Sequence, residues 1–278
     1  MRTHAPLAAV FTAVAALAAG ASGLQEDALA DPRGLDRIEI NSGALPVLVT
    51  GGSSAEVVLD SDLSTEFPWD DAPTSQLRME REGTRLYAWV EGEAAPGAIA
   101  KIIVRLPRGA SLSVNARSGA VTVEGMDGGT CHVRTVSGRI VLRRDRCRVT
   151  ADSVSGDIEI DSSRMSLQAH TVSGSIDARR LALSSDAEFS SISGSIDVGL
   201  DSDVESYTFD LRSLSGPISV AGIRTQRGLR MGFGPTRVHG HTVSGALSFT
   251  GPDAGPGTNR PARPAPSAAS RSGRVALR

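Results

Sequence analysis

Three acidic residues occupy the same position in consecutive copies of a short repeated motif and could together bind a cation. Glu159, Asp177 and Asp197 each stand three residues after the glycine of a Ser-Gly pair. If successive copies stack as strands about 4.8 Å apart, these carboxylates lie close enough to share a divalent cation. The alternative is a row of solvated surface acids, because the column ends in Ser219 and Ser248 and the chain has no glycine-rich calcium repeat.

The histidines give a weaker indication of a metal site. His132 and His239 share one position of the motif, while His170 and His241 share another that is two residues nearer the Ser-Gly pair. These residues fall mostly in copies that are not consecutive, and the sequence "HGH" alone supplies too few ligands. We therefore expect surface histidines, and we predict no metal or other cofactor from them.

Cys131 and Cys147 are the only two cysteines, and an exported chain would permit a disulfide between them. Counted back from the Ser-Gly pairs, they are two residues out of step, which would place their Cα atoms about 8 Å apart, beyond bridging distance. If "CHV" is aligned instead with "CRV", the two cysteines become direct neighbours. A disulfide and a pair of buried thiols both remain open.

We predict no catalytic residues. A serine nucleophile requires a strand-to-helix elbow and a His or Asp partner, and neither accompanies the Ser-Gly pairs. Glycoside hydrolysis requires two facing carboxylates in a groove with aromatic platforms. In this chain the acids form one column, and aromatic residues make up only 4% of the sequence.

Phe67 and Trp69 stand among acidic residues in the segment "STEFPWDDAPTS". An exposed aromatic pair in an acidic loop could contact a partner protein. The alternative is that both rings cap the first coil of the fold.

These residues are positioned by a repeat that runs through most of the chain. Successive Ser-Gly serines are 19, 18, 18, 20, 22 and 29 residues apart, and they are Ser118, Ser137, Ser155, Ser173, Ser193, Ser215 and Ser244. The second and fourth residues after each glycine are mostly aliphatic, which is the period of a strand with one buried face. The pattern extends to the residue two before glycine in six copies, namely Val136, Val154, Val172, Ile192, Leu214 and Val243.

A period of about 18 to 22 residues with two strands predicts an all-β, single-domain β-solenoid of about seven to nine coils, preceded by a few amino-terminal strands. Glycine would recur at the corner because neighbouring chain approaches closely there. We interpret the serine beside it as a structural hydroxyl ladder. The alternatives are an antiparallel meander with Ser-Gly hairpin turns and, less in keeping with the few aromatic residues, an outer-membrane barrel.

The repeats "V-S-G-x-I-x-[VIL]", preceded by "KIIVRLPRGASLSVNARSGAVTVEG", resemble an adhesin family of bacterial β-strand-repeat proteins, domain of unknown function 4097. The resemblance covers residues 35–250 and includes the strand that ends at Leu106-Pro107. It implies amino-terminal strands followed by Ser-Gly repeats wound as a β-helix-like array. It implies no catalytic residues.

The chain begins with a basic residue, an apolar stretch and small residues, which predicts a secretory signal peptide over residues 1–21 with cleavage near 21–23. We predict a flexible lead over 24–34, amino-terminal strands over 35–107, the Ser-Gly solenoid over 108–250, a disordered Pro/Ala/Gly loop over 251–269 and a possible terminal strand over 270–278. After signal removal we expect no transmembrane segment.

The formal net charge of −2 gives no reason to expect a nucleic-acid partner. We expect a non-enzymatic protein that is periplasmic, cell-surface or extracellular. Its repetitive surface would act as an adhesin or interaction scaffold for an envelope or extracellular protein or polysaccharide. The alternatives are a periplasmic structural or sensory module of envelope homeostasis and a β-helical carbohydrate-active enzyme.

Overall fold

The structure is a computed structural model that describes residues 11–16, 34–53, 55–62, 76–91 and 99–252. In these residues every element is a strand apart from the short 3₁₀ turn Val204–Ser206, so the prediction of an all-β chain is confirmed. This part of the chain contains no helix that could cross a bilayer.

The amino-terminal strands are β1 (Phe11–Ala16), β2 (Arg37–Gly43), β3 (Val47–Gly52), β4 (Glu56–Asp62), β5 (Gln76–Glu82), β6 (Arg85–Glu91) and β7 (Ile99–Pro107). The regular repeats contribute β8 (Ser111–Ala116), β9 (Val121–Glu124), β10 (Asp127–Thr135), β11 (Ile140–Arg143), β12 (Arg146–Ser153), β13 (Ile158–Asp161), β14 (Arg164–Thr171), β15 (Ile176–Leu183), β16 (Ala187–Ser191) and β17 (Ile196–Leu200). The last strands are β18 (Tyr207–Val220), β19 (Ile223–Met231), β20 (Thr236–Thr242) and β21 (Leu247–Thr250).

The strands form two parallel stacks, and the chain crosses from one stack to the other at each Ser-Gly corner. Stack A runs in space through β6, β2, β8, β10, β12, β14, β16, β20 and the first half of β18. Stack B runs through β7, β3, β9, β11, β13, β15, β17, β21 and the end of β18. We call one strand or half-strand of each stack, taken as a pair that is consecutive in the chain, a rung.

The order of the rungs in space differs from their order in the chain at both ends. The rung β6/β7 lies outside β2/β3, so the chain starts in an inner rung, moves outward and then returns to β8/β9. At the other end, β20/β21 fills the gap between β16/β17 and β18. At each end of the array, therefore, one rung is inserted between two other rungs: β2/β3 at one end and β20/β21 at the other.

Antiparallel strands cover the two ends. Strand β5 pairs with β6, β1 pairs with β5, and β4 pairs with β7. At the far end β19 folds back along β18 from Phe209 to Val220, with one register shift between Arg212 and Pro217. These pairings end the parallel stacks, whose open edges would otherwise be templates for aggregation.

Alternating side chains of both stacks form one apolar interior. The second and fourth residues after each corner glycine are buried, as predicted: Val121, Val123, Ile140, Leu142, Ile158, Ile160, Ile176, Ala178, Ile196, Val198, Ile218, Val220, Leu247 and Phe249. Three phenylalanines fill the interior near the β18 end, with Phe249 5.8 Å from Phe189 and 5.4 Å from Phe209 between ring centroids. Larger side chains there replace the small residues of the middle rungs.

The corner glycines are required by close approach along the stack. A Cβ at Gly156 would fall on the carbonyl oxygen of Gly138, and a Cβ at Gly174 would fall on that of Gly156. Neither glycine has a positive φ, so backbone freedom is not the reason for their presence. The same contact repeats at each corner in the spatial order of the rungs, including Gly245 on Gly194 and Gly216 on Gly245.

The buried hydroxyl ladder is not formed by the serine of the Ser-Gly pair, and the prediction that it is was wrong. It is formed by the residue two positions earlier, as in Thr135, Ser153, Thr171 and Ser191. The Thr171 hydroxyl accepts the Gly174 N–H at 3.0 Å and donates to the Gly156 carbonyl of the preceding rung at 3.5 Å. All four hydroxyls accept the corner N–H of their own rung, and those of Thr171 and Ser191 also bond to the glycine carbonyl of the preceding rung.

Candidate interaction surface

An exposed row of aliphatic side chains runs along the corner side of the molecule. We call it the aliphatic stripe; in spatial order it contains Val136, Val154, Val172, Ile192, Val243 and Leu214. The exposed fractions are 50%, 46%, 40% and 48% for Val136, Val154, Val172 and Ile192, and 76% for Leu214, while Val243 is half-buried. These are the residues two before glycine, so the sequence pattern that included them in the buried face was wrong.

The corner itself explains the error. Thr135 points inward at the end of β10, and Val136 points outward by normal alternation. Ser137 would next point inward, but the chain turns there and leaves it exposed, so Gly138 and Ile140 resume the inward phase. One residue is thus out of step at each corner, and a period of two cannot be counted through it.

The stripe has a fixed spacing because backbone hydrogen bonds connect its members along the stack. The Ser155 N–H donates to the Val136 carbonyl at 2.8 Å, and the Ser173 N–H donates to that of Val154 at 2.9 Å. Six side chains at intervals of about 4.8 Å give a length of about 24 Å. A parallel row of exposed serine hydroxyls borders it: Ser137, Ser155, Ser173, Ser193, Ser215 and Ser244.

The stripe ends where the repeat becomes irregular. The rung of β8 has Arg117 at the stripe position and Ala116 at the ladder position. The next rung outward has Ser42, whose buried hydroxyl has no hydrogen-bond partner. The loss of the ladder and the loss of the aliphatic side chain therefore coincide at the same rung.

The predicted acidic column is present in stack B. Glu159 lies opposite Asp177, and Asp177 lies opposite Asp197, in adjacent strands. Arg139 pairs with Glu159 at 3.1 Å and Arg179 with Asp177 at 3.0 Å, so two of the three acids are balanced by arginine.

Asp197 is the member of the column whose environment differs. Burial, and then the charge of Asp177, raise the pKa of Asp197, while hydrogen bonds with Ser248 and Ser195 oppose the shift. Across the described ranges, no group of three or more acidic, histidine or cysteine side chains is placed to hold a metal ion. A cation at this column therefore stays a prediction.

The structure brings His239 next to two acids that the sequence does not place near it. His239 lies opposite Glu188 on one side and Asp210 on the other, because β20 is inserted between β16 and β18. Together with His241 and Arg212 they line a shallow depression of about 170 Å³. Only the unexpected order of the rungs creates this cluster, so no sequence signal could have indicated it.

The carboxylate on one side of this depression is held by arginine. A hydrogen bond from Arg230 is the main reason that the pKa of Asp210 is lowered, and Arg212 contributes to the same shift. Arg230 Nη2 lies 2.8 Å from Asp210 Oδ2. The depression therefore has a fixed anion at one wall rather than a group that is free to exchange protons near neutral pH.

Cys131 and Cys147 are buried free thiols in this structure. Cys131 lies opposite Val149, which is the alignment counted from the Ser-Gly corners, and the register shift falls between Asp127 and Thr130. The alignment that would make the cysteines neighbours is not adopted. Burial raises the pKa of both thiols, to about 12 for Cys147.

A buried aspartate beside these thiols was missed by the sequence analysis. Asp145 is fully buried in the turn between β11 and β12, where its Oδ1 accepts the Met126 N–H at 2.8 Å. Its Oδ2 has no hydrogen-bond partner. Burial raises the pKa of Asp145 to about 7, although backbone N–H groups oppose the shift.

Several predicted features lie outside the described residues. These include the aromatic pair Phe67 and Trp69, the lead over 24–33, the loop over 253–269 and the terminal segment over 270–278. Strand β1 lies within the predicted signal peptide and pairs with β5.

Comparison with known proteins gives one family and one solved structure. Residues 147–231 match the family model described as "Toastrack DUF4097". A solved structure described as a "putative cell adhesion protein" from Clostridium sporogenes is 8% identical, covers 87% of this chain and 100% of its own, and has a TM-score of 0.28. No curated protein sequence is detectably similar. The resemblance to DUF4097 predicted from the Ser-Gly repeats is therefore confirmed over residues 147–231.

Proposed function

We propose that this chain is an exported, non-enzymatic β-solenoid of about seven to nine coils that acts as an adhesin-type interaction scaffold in the cell envelope. The single observation that carries this proposal is the aliphatic stripe, a contiguous row of half-exposed apolar side chains. Contiguous apolar surface is uncommon on soluble monomers and usually marks an interaction site. The DUF4097 match supports the same non-enzymatic class.

The stripe suits binding by many weak contacts. Full burial of a valine, leucine or isoleucine is worth about 1.5 to 3 kcal/mol, so a half-exposed member can gain about 1 kcal/mol on contact. The stripe is held by inter-rung hydrogen bonds, so little conformational entropy is lost when a partner binds. A row of such contacts reaches useful affinity although no single residue dominates.

The adjacent serines give the stripe a polar border. Their hydroxyls are exposed, while their backbone N–H groups are already used between rungs. A partner would therefore meet apolar side chains and hydroxyls at a regular spacing, with no free strand edge at this face. This arrangement favours a partner that lies along the solenoid axis over one that adds a strand.

The acidic column and the histidine depression do not favour catalysis. Glu159 and Asp177 are paired with arginines, and Asp210 is paired with Arg230. A glycosidase would require two carboxylates on opposite sides of a substrate groove, one of them protonated near neutral pH. The arrangement therefore supports the scaffold proposal over a carbohydrate-active enzyme.

The test compares a stripe variant with a matched control variant. The stripe variant carries Val154→Ser, Val172→Ser and Ile192→Ser, and the control carries Thr130→Ser, Arg148→Ser and Gln168→Ser on the exposed side of stack A. Labelled protein is titrated onto cells that lack the gene, and the bound fraction is measured. Circular dichroism establishes that both variants are folded.

We expect the stripe variant to bind at least tenfold more weakly and the control to bind like the wild type. Loss of about 1 kcal/mol at each of three positions would reach about a hundredfold. Equal binding by the stripe variant and the control would contradict the role of the stripe.

A further inference from the structure

The outer edge of β5 is covered in this chain by a strand that the mature protein is expected to lose. Strand β5 pairs with β6 on one side and with β1 on the other, in a continuous antiparallel register from Phe11 opposite Arg81 to Ala16 opposite Gln76. Strand β1 lies inside the predicted signal peptide. Its removal would leave a row of unpaired N–H and C=O groups along β5.

The opposite end of the molecule has an edge strand that is protected. Strand β19 has a register shift beside Arg227, whose φ is 77°, and its regular ladder with β18 is interrupted there. It also has Arg224 and Arg230, so two copies brought edge to edge would place like charges together. A bulge and a single sign of charge are two common ways to keep an edge from pairing.

Strand β5 has neither protection. Its register with both neighbours is regular, and its central sequence "LRMER" alternates charge around Met79. In an antiparallel pair of two copies centred on Met79, each Arg78 faces the partner's Glu80. The two symmetric contacts are opposite-charge cross-strand pairs. They favour this register over registers that would place like charges opposite each other.

The faces of the strand also match across such a pair. Leu77 and Met79 are buried on the core side of β5, while Arg78 and Glu80 are half-buried on the other side. Antiparallel pairing about Met79 would keep the apolar residues of both copies on the core side. The interior of one copy would continue into the interior of the other.

We propose that the mature chain forms a closed end-to-end dimer in which β5 of one copy pairs with β5 of a second copy, and that the leader strand blocks this pairing before it is removed. The inference rests on the export proposed above, because signal removal uncovers the edge. Within the described residues this end has one other outer strand, β4, which pairs with β7 alone but whose charged residues are all acidic, and β19 protects the opposite end. The assembly therefore stops at two copies.

Charge exchange tests the pairing. The protein is produced from its full-length gene, purified from the envelope, checked for its amino terminus by mass spectrometry and examined by sedimentation velocity over a wide range of concentrations. We expect a dimer for the wild type. Arg78→Glu alone, or Glu80→Arg alone, should raise the dimer dissociation constant at least tenfold, and the double variant should restore it.

The double variant separates pairing from a purely local effect. Arg78 also bonds to Glu91 at 2.7 Å, and this pair is lost both in Arg78→Glu and in the double variant. Rescue by the double variant therefore arises from the contact between copies. Arg85→Glu on neighbouring β6 is the matched control and should leave the dimer intact.

Two outcomes overturn the dimer while leaving the export proposal intact: a processed wild type that is monomeric, and a double variant as weak as the single variants. Species larger than a dimer also contradict it. If mass spectrometry finds the leader retained on the envelope protein, the predicted cleavage fails, β1 still covers the edge of β5, and the dimer proposal fails. A variant that blocks cleavage, with Ala19→Leu and Ala21→Leu, should be monomeric.

Discussion

At each Ser-Gly corner, the residue types at the inner positions are constrained by contacts with the preceding rung, and those at the outer positions are constrained much less. Inside, the corner glycine and the hydroxyl three residues earlier are fixed by contacts with the preceding rung. Outside, the aliphatic and serine positions are linked to that rung mainly by backbone hydrogen bonds, with one side-chain contact from the Ser137 hydroxyl to the Arg117 carbonyl at 3.4 Å. Folding therefore accounts for the inner columns, whereas the aliphatic side chains of the outer stripe stay partly exposed.

Gly156→Ala should have the largest effect on the inner side of this comparison. The added Cβ would fall on the carbonyl oxygen of Gly138, and neither backbone can withdraw without breaking the ladder. We expect a loss of roughly 3 kcal/mol or more, in the upper range for single substitutions. Urea unfolding measures it, with Ser155→Ala as the neighbouring outer control. A loss under about 1 kcal/mol would contradict the close-approach explanation.

The Asp145 carboxyl should make the interior sensitive to pH. Its folded pKa of about 7 lies above the ordinary aspartate value of 3.8, so the folded state keeps a proton that the unfolded state releases between these values. The free energy of unfolding should therefore fall as the pH rises from about 4 to 7 and level off above that, by at most about 4 kcal/mol.

Asp145→Asn removes the ionisation while keeping an oxygen that can accept the Met126 N–H. The variant should show a flatter stability profile between pH 4 and pH 7 and should be more stable than the wild type at pH 8. Thermal unfolding across this range provides the measurement. Identical slopes for the two proteins would show that Asp145 does not retain its proton.

Thr171→Val should have an intermediate effect within the inner column. The substitution keeps the shape but removes the hydroxyl that accepts the Gly174 N–H and reaches the Gly156 carbonyl. Leaving a buried N–H without its acceptor costs about 1 to 3 kcal/mol. Urea unfolding should show that loss, whereas Ser173→Ala in the outer column should stay within about 0.5 kcal/mol of the wild type. Equal losses would remove the distinction between the columns.

Val172→Ser should have the smallest effect on stability. The side chain is 40% exposed, so the fold gains only part of what full burial of a valine would give. We expect a change within about 1 kcal/mol, together with weaker binding to cells. A large loss of stability would mean that the stripe belongs to the core after all.

Part of this arrangement could be predicted because it is local. The buried second and fourth positions after glycine follow from strand alternation within one segment, and the Glu159, Asp177 and Asp197 register follows from nearly equal spacings. The stripe could not be assigned correctly, because the extra residue at each corner reverses the alternation. The phase of the residues before the corner depends on backbone geometry that residue types do not specify.

The rung order at the ends could not be predicted for a different reason. The copies at Ser215 and Ser244 have similar motifs, and nothing in either motif says which one lies next to Ser193. The β18–β19 hairpin takes the chain one rung outward before β20 returns. The pairing of His239 with Glu188 and Asp210 is a consequence of this exchange. Asp145 was missed because an isolated acid in a turn normally indicates solvent exposure.

Protease shaving of intact cells tests the central proposal most directly, with an internal protein as the leakage control. If the solenoid acts as an adhesin-type scaffold, peptides from the repeat region over residues 108–250 should be released while the internal control stays intact. Protection of the repeats in intact cells, with cleavage only after the envelope is opened, would contradict an adhesive role outside the cell.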